Sequence, residues 1–202
     1  MENSNYTKNI LDKAEDLFNQ LGYSKVTMDQ LSRELGISKK TLYNHIPKKK
    51  ELLKQVIERF KAEMSNEVDG ILMDNELSFD EKLEKMLTLV AQRLSKITPW
   101  LIDDLRRNAP FIWEDLQNYK RDAAFRRFNL LLEEGIKEGH IQPDVNKSVA
   151  VLIYAGAIET FLNPQLINQI PENLKEQIPY TPKSLFQDMV QILLQGVLSR
   201  EE

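Results

Sequence analysis

The sequence predicts an all-α fold: a small N-terminal three-helix domain over residues 1–50, then a larger helical bundle over 51–202. Three observations predict it. Apolar residues recur at three- and four-residue spacing along most of the chain, and alternating strand patterns are almost absent. Helical stretches are bracketed by good caps, glycines and prolines. The stretch Thr27–Ile46, TMDQLSRELGISKKTLYNHI, has the spacing of two short helices meeting at a tight turn.

The first helix is expected from about Thr7 to Leu21, with Ile10, Ala14, Leu17 and Phe18 on one face and Gly22 as its stop. Thr27 is an N-cap for the second, and Gln30 can close a capping box. Leu31 and Leu35 stack one turn apart, and Gly36 ends that helix. Ile37 plugs the turn, Ser38 caps the third helix, and Leu42 and Ile46 anchor it inward. A long helix follows from near Lys50, with Leu53, Val56, Ile57, Phe60, Met64 and Val68 in its stripe. Next come a helix from Phe79 to about Ile97, a short one between Pro99 and Pro110, and a longer one ending at Gly139. Another spans Lys147–Leu162. Residues 164–182 hold four of the eight prolines and should be irregular with at most one short helix. The last helix runs from about Lys183 to Ser199.

The third helix turns Lys39, Lys40, Thr41, Tyr43, Asn44 and His45 outward. Donors and cations with no acid among them suit a nucleic-acid groove. The whole-chain charge of −4 hides an asymmetry: residues 25–54 hold eight cations against three acids, a net +5, which leaves −9 for the rest. Phosphate affinity follows the local cationic patch, so this distribution supports DNA as the partner.

These residues carry a resemblance to the tetracycline-repressor (TetR) family of bacterial transcription regulators. The matching positions are Ala14, Phe18, Gly22, Tyr23, Thr27, Leu31, Leu35, Gly36, Ile37, Ser38, Thr41, Leu42, Tyr43, His45, Lys49, Leu52 and Leu53. They cover about the first 55 residues. Three positions depart from the family pattern: Ile46 stands for a usual phenylalanine, and Lys48 and Lys50 replace a common serine and glutamate. The resemblance implies a homodimeric regulator, commonly a repressor, whose N-terminal helices bind a double-stranded operator and whose C-terminal domain takes a small effector. It implies that Lys39, Lys40 and Asn44 read base edges, while Thr27, Tyr43, His45 and Lys49 contact phosphates. Thr41 lies beside them, Ser38 caps the reading helix, and Lys48 adds to phosphate attraction.

Two helices are drier than a monomer's surface needs. The helix at 147–162 and the last helix either fill the middle of a large core or pair with symmetry mates through Leu152, Gly156, Leu185, Met189, Ile192 and Leu193. Met86, Val90, Trp100, Phe111, Trp113, Phe125, Phe128, Tyr154 and Glu159 either fill the core or line a pocket for a hydrophobic or amphipathic effector. Glu159 suits a ligand contact or an interface hydrogen bond.

Cysteine is absent, so thiolate metal sites and thiol nucleophiles are excluded. The two histidines stand at unrelated positions, and HExxH, GxSxG and glycine-rich phosphate loops are missing. No enzyme activity, cofactor or metal is expected. No apolar run approaches a membrane span, and the polar start is not a signal peptide, so a cytoplasmic protein without a membrane partner is expected. The competing reading is a helical adaptor that holds a protein partner and does not act through DNA.

Overall fold

A computed structural model describes residues 2–162, 169–178 and 182–197, and among them the regular structure is helical throughout. The chain forms two compact units, residues 1–63 with 97–117, and residues 64–96 with 118–202. No helix among the described residues is long and apolar enough to cross a membrane.

The first unit holds α1 (Glu2–Leu21), α2 (Met28–Glu34), α3 (Lys39–His45) and the start of α4 (Lys49–Met73). It also holds α6 (Pro99–Asn108) and the start of α7 (Pro110–Ala123). Helix α1 begins at Glu2, five residues before the expected start at Thr7, over a polar stretch that the apolar stripe does not mark. Ile10, Ala14 and Phe18 from α1 pack against Leu31, Leu42, Ile46, Leu52 and Leu53. Leu101, Leu105 and Ile112 complete this core from α6 and α7. Gly22 and Gly36 end α1 and α2 with φ of 86° and 65°, backbone that a Cβ would strain.

The second unit contains the rest of α4, α5 (Phe79–Leu94), the end of α7, α8 (Asn129–Glu138), α9 (Lys147–Leu162), α10 (Glu172–Lys175) and α11 (Pro182–Val197). Ser78 and Glu81 form a complete capping box at the head of α5. Its end falls at Leu94, short of the expected Ile97. Pro99 holds Thr98 extended, at φ −80° and ψ 143°, so the chain has already left the helix. Gly135 lets α8 close on α5, since a Cβ there would lie 2.6 Å from the Phe79 ring.

The helix expected to run unbroken from Pro110 to Glu138 is interrupted by a π-helical turn at Ala124–Phe128. Such a turn shifts the register of the residues after it. Here Arg127 and Phe128 are both buried. The Arg127 guanidinium donates to both oxygens of Asp69 at 2.7 and 2.8 Å, and Phe128 stacks on Tyr154 with centroids 4.1 Å apart.

Candidate nucleic-acid interface

Helix α3 is positioned by local chemistry at its own start and at the start of α2. Thr27 Oγ1 accepts from the Gln30 backbone N–H at 3.1 Å, and Ser38 Oγ accepts from the Thr41 N–H at 3.0 Å. Each cap satisfies a donor that a helix start leaves open. Leu42 and Ile46 are fully buried, so the smaller Ile46 still anchors α3. That anchoring leaves Lys39, Lys40, Tyr43 and Asn44 exposed on the opposite side. Thr27, Ser38 and Lys48 are exposed as well, and Thr41 is half-buried.

Several of the cations have protein partners. Lys39 Nζ donates to Asp29 Oδ2 at 2.5 Å, tying α3 to α2 through an exposed ion pair. Lys50 Nζ stands 4.0 Å from the centroid of the Phe111 ring. Lys49 is half-buried: its ammonium donates to the Ser24 carbonyl at 3.1 Å and lies 4.4 Å from the Tyr23 centroid. Burial lowers the Lys49 pKa, and the attraction of Asp104 only partly offsets this. His45 is also half-buried, with its ring stacked on Tyr6 of α1 at 5.8 Å.

Asp104 on α6 gathers this corner together. Its Oδ2 accepts from the Ser24 N–H at 2.6 Å, and its Oδ1 accepts from Asn108 Nδ2 at 2.6 Å. Burial alone would raise the carboxyl pKa, but the hydrogen bonds from Ser24 and Asn108 and the nearby Lys49 hold it below the usual aspartate value. Sequence reasoning passed over Asp29, Tyr6 and Asp104. Asp29 had a readable signal, an acid in the first turn of α2, but nothing local marks Asp104 as a partner of Ser24.

The residues expected around an effector divide between the units. Trp100, Phe111 and Trp113 belong to the first. Trp100 is 60% exposed, and Phe111 is exposed under Lys50. Met86, Val90, Phe125, Phe128, Tyr154 and Glu159 belong to the second. Met86, Val90, Phe128 and Tyr154 are buried there, while Phe125 is exposed. Burial pushes the Tyr154 phenol pKa up, so its hydroxyl is neutral. Glu159 pairs with Lys120.

The six residues expected at a subunit interface lie on α9 and α11. On α9, Ala150, Val151, Tyr154 and Ala157 are buried, while Val149, Leu152, Ile153 and Gly156 form an exposed apolar face. Leu152 is 58% exposed, and Ile192 on α11 is 71% exposed. Leu185 and Met189 are half-buried. The side chain of Leu193 lies outside the described residues.

A capped helix-turn-helix with an acid-free outer face defines this class: a DNA-binding transcriptional regulator. Residues 10–56 match the model of the bacterial regulatory proteins of the tetR family. It is 28% identical over 195 residues to the uncharacterized HTH-type transcriptional regulator YvaF of Bacillus subtilis (strain 168), covering 96% of this chain and 97% of that one. Its fold is similar to SmeT in complex with triclosan, with TM-score 0.68, 18% identity and coverage of 96% and 91%. It is also similar to the fatty acid degradation regulator FadR from Bacillus halodurans, with TM-score 0.66, 19% identity and coverage of 94% and 95%. The family is regulatory rather than enzymatic.

Proposed function

We propose that this protein is a homodimeric repressor that binds a palindromic operator and leaves it when a small hydrophobic or amphipathic effector binds. The observation that carries the reading is the two-sided α3 helix. Its Leu42 face is fully buried, and its outer face offers Lys40, Tyr43 and Asn44 to solvent. Residues 1–50 supply DNA recognition, and residues 51–202 supply dimerisation and effector binding.

Lys40 and Asn44 read base edges, lysine at guanine acceptors and asparagine at adenine. Lys39 joins them when DNA displaces its Asp29 pair. Thr27, Tyr43 and Lys48 set register on phosphates, with Ser38, Thr41 and His45 shaping the surface between them. Lys49 acts first by holding the Ser24 turn in place. One small head spans few bases, so a two-fold dimer reading two half-sites one helical turn apart (~34 Å) suits the operator. The apolar face of α9 supports that dimer, because a monomer has no use for such a face at Leu152, Ile153 and Gly156.

The effector reading rests on the residues of the second unit. Met86, Val90, Phe128 and Tyr154 are buried apolar and aromatic side chains, and Phe128, stacked on Tyr154, lies in a π turn, a feature frequent at functional sites. The similar fold of SmeT is known with triclosan bound. An effector that favours the low-affinity state of the dimer shifts the population away from DNA.

A gel shift with DNA from upstream of the protein's own gene, run with excess competitor, tests the proposal. A competitor-resistant band is expected. If that DNA and a random-sequence selection both yield no site, the repressor reading is lost to the adaptor.

A further inference from the structure

The first unit contains a partly open apolar cavity of about 60 Å³ between α1, α4, α6 and α7. Its walls are Phe18, Leu53, Val56, Ile57, Leu101 and Leu105, together with Asn19. Among the described residues, Asn19 Oδ1 is a buried side-chain oxygen with no hydrogen-bond partner. Native interiors rarely leave such an acceptor unpaired. A water there would need two or more polar partners. The other polar wall residue, Glu15, has a partly exposed side chain whose carboxylate pairs with Arg59. The wall therefore suits one donor carried on an apolar body.

We propose that this cavity is a binding site for a compact apolar molecule with a single hydroxyl donor, of the phenol or small-alcohol class. The hydroxyl donates to Asn19 Oδ1 and the hydrocarbon fills the slot. The site is separate from the effector reading of the second unit and independent of whether the protein represses. It lies at a latch, because the Asn19 carbonyl also accepts from Thr98 Oγ1 at 3.0 Å and from Trp100 Nε1 at 2.8 Å. Occupancy is thus reported by the Trp100 indole.

The test is NMR titration of the full-length protein with phenol and with toluene, which differ in the donor. Phenol is expected to bind saturably, with contacts to the methyls of Leu53, Ile57 and Leu101 and movement of the Trp100 indole N–H resonance, assigned with a Trp113→Phe variant. Its affinity should exceed that of toluene by about three- to tenfold, the effect of one net hydrogen bond. Asn19→Leu should erase that preference, and Ile97→Phe, at the partly exposed rim, should weaken both ligands. The proposal fails if phenol does not saturate, if its contacts fall on the second unit, or if phenol and toluene bind the wild-type protein equally. Because the wild-type comparison decides by itself, an unfolded variant leaves the proposal testable.

Discussion

Asp104 Oδ2 accepts the Ser24 backbone N–H at 2.6 Å across eighty positions of sequence, joining α6 to the turn between α1 and α2. The same oxygen is where a side chain on Gly22 would collide, since a Cβ there would lie 2.9 Å from it. A carboxylate from far along the chain therefore sets the shape of the turn that leads into α2 and α3.

Replacing Asp104 with alanine leaves the exposed Ser24 N–H to water and removes a charged acceptor. We expect a loss of about 0.5–1.5 kcal/mol, the net worth of a typical hydrogen bond, measured by urea unfolding at pH 7. The sign with pH follows from the lowered carboxyl pKa. Its contribution is full above the pKa of an unfolded aspartate, about 3.9, and is lost as pH falls through the lower folded value. Wild type and Asp104→Ala should converge in stability as the solution is acidified through that window. A gap that persists in strong acid would mean that the carboxylate is not responsible.

Lys39 and Asp29 give a second prediction. The pair is exposed, so Asp29→Asn should change stability by less than about 1 kcal/mol. It frees a cation on the reading helix, however. Operator affinity should rise by up to about fivefold, because DNA no longer has to displace Asp29 to reach Lys39. An unchanged affinity would show that Lys39 does not reach the DNA.

These two cases mark what the sequence can and cannot show. Thr27, Ser38, Gly22 and Gly36 were legible because caps and helix stops act over three or four residues. Leu42 and Ile46 were legible because their spacing follows the helical repeat. The link between Asp104 and Ser24 was not, since no local pattern encodes a contact eighty positions away. Trp100 illustrates another limit. Its size suggests burial, yet its indole N–H needs an acceptor and finds the Asn19 carbonyl at the surface, leaving the ring largely in solvent. The π turn was hidden because Pro110–Glu138 reads as one continuous helical pattern, and only the buried contacts of Arg127 and Phe128 show the shift.

Tyr43 separates DNA contact from folding. It is exposed on α3 and its partners on that helix, Leu42 and Ile46, carry the packing. Tyr43→Ala should weaken operator binding at least tenfold in fluorescence anisotropy while the melting temperature and oligomeric mass stay those of wild type. Lys49→Ala should behave differently. It also removes the bond to the Ser24 carbonyl, so melting and DNA affinity should fall together. Equal melting for the two variants would remove Lys49 from the architecture of the turn.

The exposed face of α9 makes the last prediction. Leu152 lies in the middle of this face, flanked by Val149, Ile153 and Gly156, while the opposite side of the helix carries the packing through Val151 and Tyr154. A charge at position 152 therefore costs little in an isolated chain, where it meets water, and much in a two-fold interface, where it faces its own symmetry mate. Leu152→Glu should leave the helical circular dichroism intact and shift sedimentation from dimer to monomer. Operator affinity should fall with the dimer, because a single head keeps only one half-site. A variant that still sediments as a dimer would move the interface off α9.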